Sequence, residues 1–289
     1  MNPKHIFPAL SILALLTALL ACSLPNAPVT ATPTAADLPE ASATSPTADE
    51  PTATSAPDGS NVAFSGVSFT LPTALGVIGT AETVPAISIE NSPGWDAGPA
   101  YTKFTLKNYP LQGTLIQPEI RVYPAKEYET ISNGAAESLK RLRALTSGAG
   151  MGVDNNTLPF VPYFNATQTF EAQAMPINFQ SGTGYRTITQ YDQAFIPVNN
   201  HEMIYHFQGL TSDGAYYIIA TLPLNSPILA ADGNPASAIP AGGVPFNQND
   251  PMAYFDTVAQ TLNDAAPESF SPSLTTLDAL IGSIKVTTP

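Results

Sequence analysis

The sequence predicts a mixed α/β chain of the α+β type, built on a mostly antiparallel central sheet. Three observations predict it. Apolar residues alternate at period two in several short runs between residues 62 and 224. The period switches to helical spacing over 133–144, 251–262 and 274–281. Between two apolar runs lies Ser212-Asp213-Gly214-Ala215, a strong hairpin signal.

Val62, Phe64, Val67, Phe69 and Leu71 alternate, with Gly66 marking a bulge or turn and Pro72 ending the run. A weaker apolar stretch follows at Val77-Ile78 and Ala86–Ile89, then the loop from Asn91 to Pro99 with Trp95 at its centre. Tyr101–Leu106 and Glu119–Tyr123 read as paired strands joined by a turn-rich connection around Gly113. In the next segment Ala135, Leu139 and Leu142 share a helical face. Ser132 or Asn133 can cap its start, and Lys140, Arg141 and Arg143 sit in the last turns, where the helix dipole favours cations. The loop Ser147–Gly152 ends it. Phe170–Phe179 and Tyr185–Tyr191 are further strands.

Met203–Leu224 carries the clearest local signal. A type I′ turn at Asp213-Gly214 pairs Tyr205 with Leu222, Phe207 with Ala220 and Gly209 with Ile218. One face of that hairpin is apolar. The other, with Ile204, His206, Gln208, Tyr217 and Thr221, is mixed, so the sheet is expected to have one dry side. A long loop, Ser226–Asn249, precedes Asp250-Pro251, an N-cap followed by Pro at the first helical position. Phe255, Val258 and Leu262 form the apolar face of that helix. A last helix, Leu274–Ile281, stops at Gly282 and leads into a strand at Ile284–Val286. No internal repeat and no linker interrupts residues 61–289, which are expected to form one domain.

Composition narrows the partners. The 289-residue chain has a net charge of −13, and only 11% of its residues are charged. An acidic, lysine-poor surface argues against nucleic acid and against docking on anionic lipid headgroups. Cys22 is the only cysteine, which leaves the domain without a disulfide or a cysteine-based metal site.

That cysteine ends a signal-like segment. Met1–His5 carries one lysine, and Ile6–Ala21 is an apolar run. Leu19-Leu20-Ala21-Cys22 resembles a bacterial lipobox, which implies cleavage after Ala21 and a diacylglyceryl group on Cys22. Residues 1–21 are then a signal peptide. Two alternatives stand beside this reading: an uncut anchor over Ile6–Leu24, and an ordinary signal, which needs an A-x-A-like site that is absent near Cys22. Residues 22–60 are rich in Pro, Thr, Ala and Ser without apolar periodicity, which marks a tether reaching roughly 35–100 Å. The expected location is a bacterial cell membrane or outer membrane, lipid-anchored, with the domain outside the cytoplasm.

The order of strands, helix, strands, long loop, helices and strand is similar to the Mog1/PsbP-like fold. The residues that carry the likeness are Phe64-Ser-Gly-Val-Ser-Phe69, the hairpin around Asp213-Gly214, and Leu277-Asp-Ala-Leu-Ile281 with Ile284-Lys-Val286. The resemblance covers about residues 61–287, extends to bacterial lipoproteins of unassigned function, and implies helices packed on the faces of the sheet. It also implies action by binding proteins, without catalysis.

Candidate chemistry is sparse. His201 and His206 are five apart and point to opposite faces of a strand, so a shared metal is not expected and both are read as surface or sheet-edge histidines. No G-x-S-x-G elbow is present. Gly148–Gly152 follows a helix and lacks a Lys-Ser/Thr pair, so it does not cradle phosphate. Asp154–Thr157 and Asn247–Asp250 supply oxygens without an EF-hand pattern and are read as turns and caps. Trp95 is read as a plug folded onto the sheet, with partner contact as the alternative. Lys140, Arg141 and Arg143 are read as a solvated helix end, with an acidic partner as the alternative. No cofactor is expected. The functional expectation is a non-catalytic binding module for a protein or cell-envelope partner, with a tethered hydrolase or a small-ligand-capture domain as alternatives.

Overall fold

A computed structural model of the chain describes residues 58–90, 92–148 and 153–287. The signal run, Cys22, the tether to residue 57, Asn91 and the glycine-rich stretch 149–152 lie outside the described residues. Among the described residues no helix is long and apolar enough to cross a membrane.

The α+β architecture is built on a seven-stranded antiparallel sheet. Its strands are β3 (Ile78–Val84), β4 (Tyr101–Lys107), β5 (Glu119–Pro124), β7 (Ala172–Phe179), β8 (Gly182–Thr189), β10 (Ile204–Thr211) and β11 (Tyr216–Pro223), in the order β3-β4-β5-β11-β10-β8-β7. The expected hairpin is the β10–β11 pair near the centre, and its register matches: Tyr205 faces Leu222, Phe207 faces Ala220 and Gly209 faces Ile218.

Two features of that hairpin differ from expectation. Gly214 has φ 72°, whereas Asp213 does not share the positive φ that a type I′ turn requires of both central residues. Asp213 works through its side chain: its carboxylate accepts from Thr211 Oγ1 at 2.6 Å and from the Ala215 amide at 3.0 Å. The loop is therefore longer, and the Gly214 amide bonds the Thr211 carbonyl. The second difference is burial. Both faces of the hairpin are covered, so the sheet has no wet side here.

One face carries Phe104, Leu106, Ile120, Tyr205, Phe207, Ile218 and Leu222. It packs under α3 (Pro251–Asn263) through Phe255, Val258 and Leu262, and under α4 (Leu274–Gly282) through Leu277, Leu280 and Ile281. A small sheet adds to this layer: β1 (Gly59–Phe64) and β2 (Val67–Pro72) form a hairpin, and β12 (Lys285–Val286) pairs with β2. The first strand thus begins two residues before the expected domain start. The other face carries Tyr123, Tyr217 and Ile219 and packs under α1 (Ala125–Ile131) and α2 (Asn133–Thr146) through Tyr128, Ala135, Leu139 and Leu142. Burying each of these large side chains stabilises the fold by about 1.5–3 kcal/mol.

The caps follow the sequence. Ser132, Asp250 and Ser273 each accept a bond from the amide three residues on, at 3.2 Å, which fixes the starts of α2, α3 and α4. Pro124 opens α1 without a side-chain cap.

His206 is a correction. It lies mid-strand in β10, is 1% exposed, and faces the α2 layer, where a surface or edge position was expected. The helix and the 153–170 segment cover a face that polar residue types had marked as open.

Candidate ligand groove

A two-stranded ribbon, β6 (Thr167–Gln168) paired with β9 (Tyr191–Asp192), stands apart from the main sheet. Beside it lie the turn after Asp192, the loop at Asn155 and the first turn of α3. Together they enclose a groove of about 570 Å³. Phe195 and Met252 line it and are 62% and 55% exposed. Met252 follows Pro251 at the start of α3, and the Phe195 ring lies 6.0 Å from that of Phe255 on the same helix.

The polar wall is held in place. Gln168 Nε2 donates to Asn155 Oδ1 at 2.7 Å, and Gln168 Oε1 accepts from the Tyr191 hydroxyl at 2.8 Å. Tyr191 in turn accepts from the Val161 amide at 2.9 Å. Gln193 Nε2 bonds the Asn165 carbonyl at 2.7 Å. These bonds leave the wall preorganised, so a ligand meets side chains already ordered.

Asp192 also lines the groove. Gln190 Nε2 donates to Asp192 Oδ2 at 2.7 Å, while Gln190 Oε1 accepts from the Asn199 amide at 2.9 Å. Burial and the adjoining Glu202 carboxyl push the Asp192 carboxyl up to about 7. Glu202 Oε2 is buried and lacks a donor among the described residues. A proton on Asp192 supplies that donor, so two acids side by side are satisfied by sharing one hydrogen. Glu171, just before β7, is also raised, first by burial and then by Asp154 and Asp256.

Other hollows are smaller or of another kind. The cavity among Tyr101, Arg121, Tyr123, Tyr128 and Tyr163 holds about 20 Å³, room for one water. Arg121 lines it, 3.9 Å from the Tyr163 ring and 2.8 Å from Glu119. A second space under the long loop, near Ile228 and Tyr254, is equally small.

The residues singled out from sequence do not converge here. Trp95 lies in the turn closed by the Asp96 amide on the Pro93 carbonyl, and is 41% exposed rather than sealed onto the sheet. Lys140 and Arg141 both pair with Glu137, at 3.2 and 3.1 Å, and Arg143 pairs with Glu129 through both carboxylate oxygens. Arg141 also donates to the Asn155 and Leu158 carbonyls, so it anchors the loop that forms one groove wall. His206 lies inside the sheet, with burial holding its imidazole down to about 3. No group of three or more His, Cys, Asp or Glu able to hold a metal exists among the described residues. The groove itself escaped sequence reading, because its walls come from four distant segments, three of them loop or ribbon and one the first turn of α3. The one local hint is Phe195, a large aromatic in the connection that follows Asp192.

The chain matches no family model, no curated protein and no solved structure.

Proposed function

We propose that the chain is a membrane-tethered extracytoplasmic binding module, a lipoprotein held by a diacylglyceryl group on Cys22, that captures a small, largely apolar ligand. The observation that carries the binding reading is the pair Phe195 and Met252, both exposed on one groove. Leaving two large apolar side chains in water over a hollow is costly unless something covers them. The groove volume falls in the range of about 300–1,000 Å³ typical of small-molecule sites, with an apolar side formed by Ala194, Phe195 and Met252 facing a wall of fixed polar groups. The lipobox at Leu19–Cys22 and the Pro/Thr-rich segment behind it support the tether.

The reading is tested with a neutral solvatochromic dye and the full chain. Dye fluorescence should rise with the wild type and lose most of its increase with Phe195→Ser plus Met252→Ser, at unchanged Tm. An unaltered dye response in the double variant would remove the groove from consideration. For the tether, Cys22→Ser should shift the protein from the detergent phase to the aqueous phase. Retention in the detergent phase would favour the uncut anchor.

A second reading, docking of a protein or envelope partner, draws on Ile89 and Trp95 in one loop and Ile239 in another, all exposed. The Mog1/PsbP-like likeness points the same way. Substituting Trp95→Ser and Ile239→Ser should then abolish cross-links to membrane proteins without changing dye binding, and intact cross-links would argue against it.

A further inference from the structure

We infer that the outer edge of β3 is an interaction surface for a second copy of this chain, the two β3 strands pairing antiparallel about a two-fold axis at Ala81. The inference is independent of the groove and of its ligand.

The two ends of the seven-stranded sheet are built differently. A bare strand edge presents N–H and C=O groups that will pair with another extended chain, and folds ordinarily blunt it. The β7 edge is blunted. Its register with β8 shifts between Ala172 and Met175, and Pro176 sits within the strand. Gln173 has φ 54°, its amide donates to Asn263 Oδ1 at 2.6 Å, and its side chain donates to the Leu262 and Asn263 carbonyls at the end of α3. β3 has none of these devices. It pairs with β4 without a shift from Ile78 to Val84, contains neither proline nor lysine, and has no strand on its other side.

Which groups of β3 point outward follows from β4. The Leu106 amide bonds the Pro118 carbonyl at 3.0 Å and so turns toward β5, whereas the Thr105 carbonyl accepts from Thr80 Oγ1 at 3.4 Å and turns toward β3. Gly79 lies opposite Leu106, and bonded positions alternate along an antiparallel pair. Gly79, Ala81 and Thr83 therefore aim their main-chain groups away from β4. Among the described residues no main-chain bond from another segment reaches these three.

The register is self-complementary. Centred on Ala81, the two copies pair Ala81 with Ala81 and, twice over, Gly79 with Thr83, each pair exchanging both main-chain bonds. The same register sets Ile78, which is 58% exposed, against Val84, and Glu82 against Thr80. A centre one residue later opposes Glu82 to itself, and one residue earlier opposes it to Ile78; each shift also loses one bonded pair. Lys103 holds Glu82 at 2.7 Å, so the edge carries little repulsion of its own.

The test is sedimentation equilibrium of the full chain in a density-matched neutral detergent, from about 1 µM to 1 mM. One strand edge is small beside the roughly 1,600 Å² of a standard interface, so the dimer should form reversibly within that span. Ala81→Pro removes an outward N–H that β4 does not use and should leave a monomer at unchanged Tm. Thr80→Lys sets opposite charges across both contacts with Glu82 of the second copy and should tighten the dimer about three- to tenfold, while Thr80→Glu should loosen it by a similar factor. These two variants decide the matter if Ala81→Pro lowers Tm. A dimer that persists in a folded Ala81→Pro, or that Thr80→Lys weakens, overturns the edge or its register. A wild type that stays monomeric throughout overturns the second copy, and one that instead binds an alternating Thr/Val octapeptide assigns the edge to a foreign strand.

Discussion

Gln208 Nε2 lies 2.7 Å from His206 Nε2, two residues apart on β10 and on the same face of the sheet. The amide can only donate, so the imidazole accepts at Nε2 and stays neutral. Gln208 Oε1 is oriented from the other side by the Tyr217 hydroxyl and by Ser138 Oγ. A helix side chain thereby fixes the tautomer of a histidine two strands' width inside the fold.

This pair makes the stability pH-dependent in a defined direction. In the unfolded chain an imidazole titrates near about 6.5, and burial lowers His206 to about 3. Between those values the unfolded state binds the extra proton, so stability is lost as pH falls through that window. Replacing His206→Asn should remove this contribution, read as the difference in urea midpoints from the wild type at pH 4, 5, 6 and 7. A slope unchanged by the substitution would mean the ring is protonated in the fold.

Asp192 acts oppositely. Its folded carboxyl is raised to about 7 from 3.8, so the folded state holds the extra proton between them and stability falls as pH rises through that range. The two effects overlap and offset each other in the wild type. Asp192→Asn should therefore expose the acid loss of His206, and His206→Asn the alkaline loss of Asp192, each approaching about 1.4 kcal/mol per pH unit. Parallel slopes in the two variants would contradict the pairing of Asp192 with Glu202.

On the opposite face, Asp278 Oδ1 accepts from the Tyr205 hydroxyl at 2.8 Å and lies 3.4 Å from Arg186 Nε. Arg186 is 2% exposed. Removing one partner leaves a buried charge, so Asp278→Ala should cost about 3–5 kcal/mol. Asp278→Leu combined with Arg186→Met should recover most of that loss. Equal losses in the single and double variants, by chemical denaturation, would show that packing rather than charge dominates.

Gly184 on β8 faces Gly209 on β10. A Cβ on Gly184 would meet the Gln208 carbonyl oxygen at 2.1 Å and the Gly209 Cα at 2.6 Å, both backbone atoms that cannot swing away. Gly184→Ala should cost about 3 kcal/mol or more, at the upper end for overpacking, whereas Gly113→Ala, with open space around it, should cost less through its positive φ alone. Thermal unfolding of the two variants separates them.

The elements that were legible in sequence share a physical property: their periodicity is reinforced by a cap or a turn. The register of β10 and β11 could be read because a one-residue slip would turn Tyr205, Phe207, Ile218 and Leu222 away from their layer. Asp250-Pro251 announced α3 for a similar reason. By contrast β3, Ile78–Val84, was missed because it is an exposed edge strand with little apolar alternation, and Ile78 itself faces solvent. α1 was missed because Pro124 provides no side-chain cap and only Ala125 and Tyr128 are buried. The buried polar face of β10 was unreadable, since whether His206 and Gln208 meet water depends on α2, some seventy residues earlier in the case of Ser138. The groove has the same difficulty in stronger form: Asn155, Gln168, Asp192 and Met252 belong to segments that meet only after folding.

The layer formed by α3, α4 and β12 has a consequence for the chain as a physical thread. These elements follow the exposed loop 231–249, yet they supply Phe255, Leu262, Leu277 and Ile281 to the main core, and β12 completes the sheet begun by β1 and β2. A cut within that loop severs the backbone without separating the layers. The nicked molecule should persist as a two-piece protein, co-eluting as one particle on size exclusion and parting only in denaturant. If the pieces separate in native buffer, the layer is weaker than its buried surface implies.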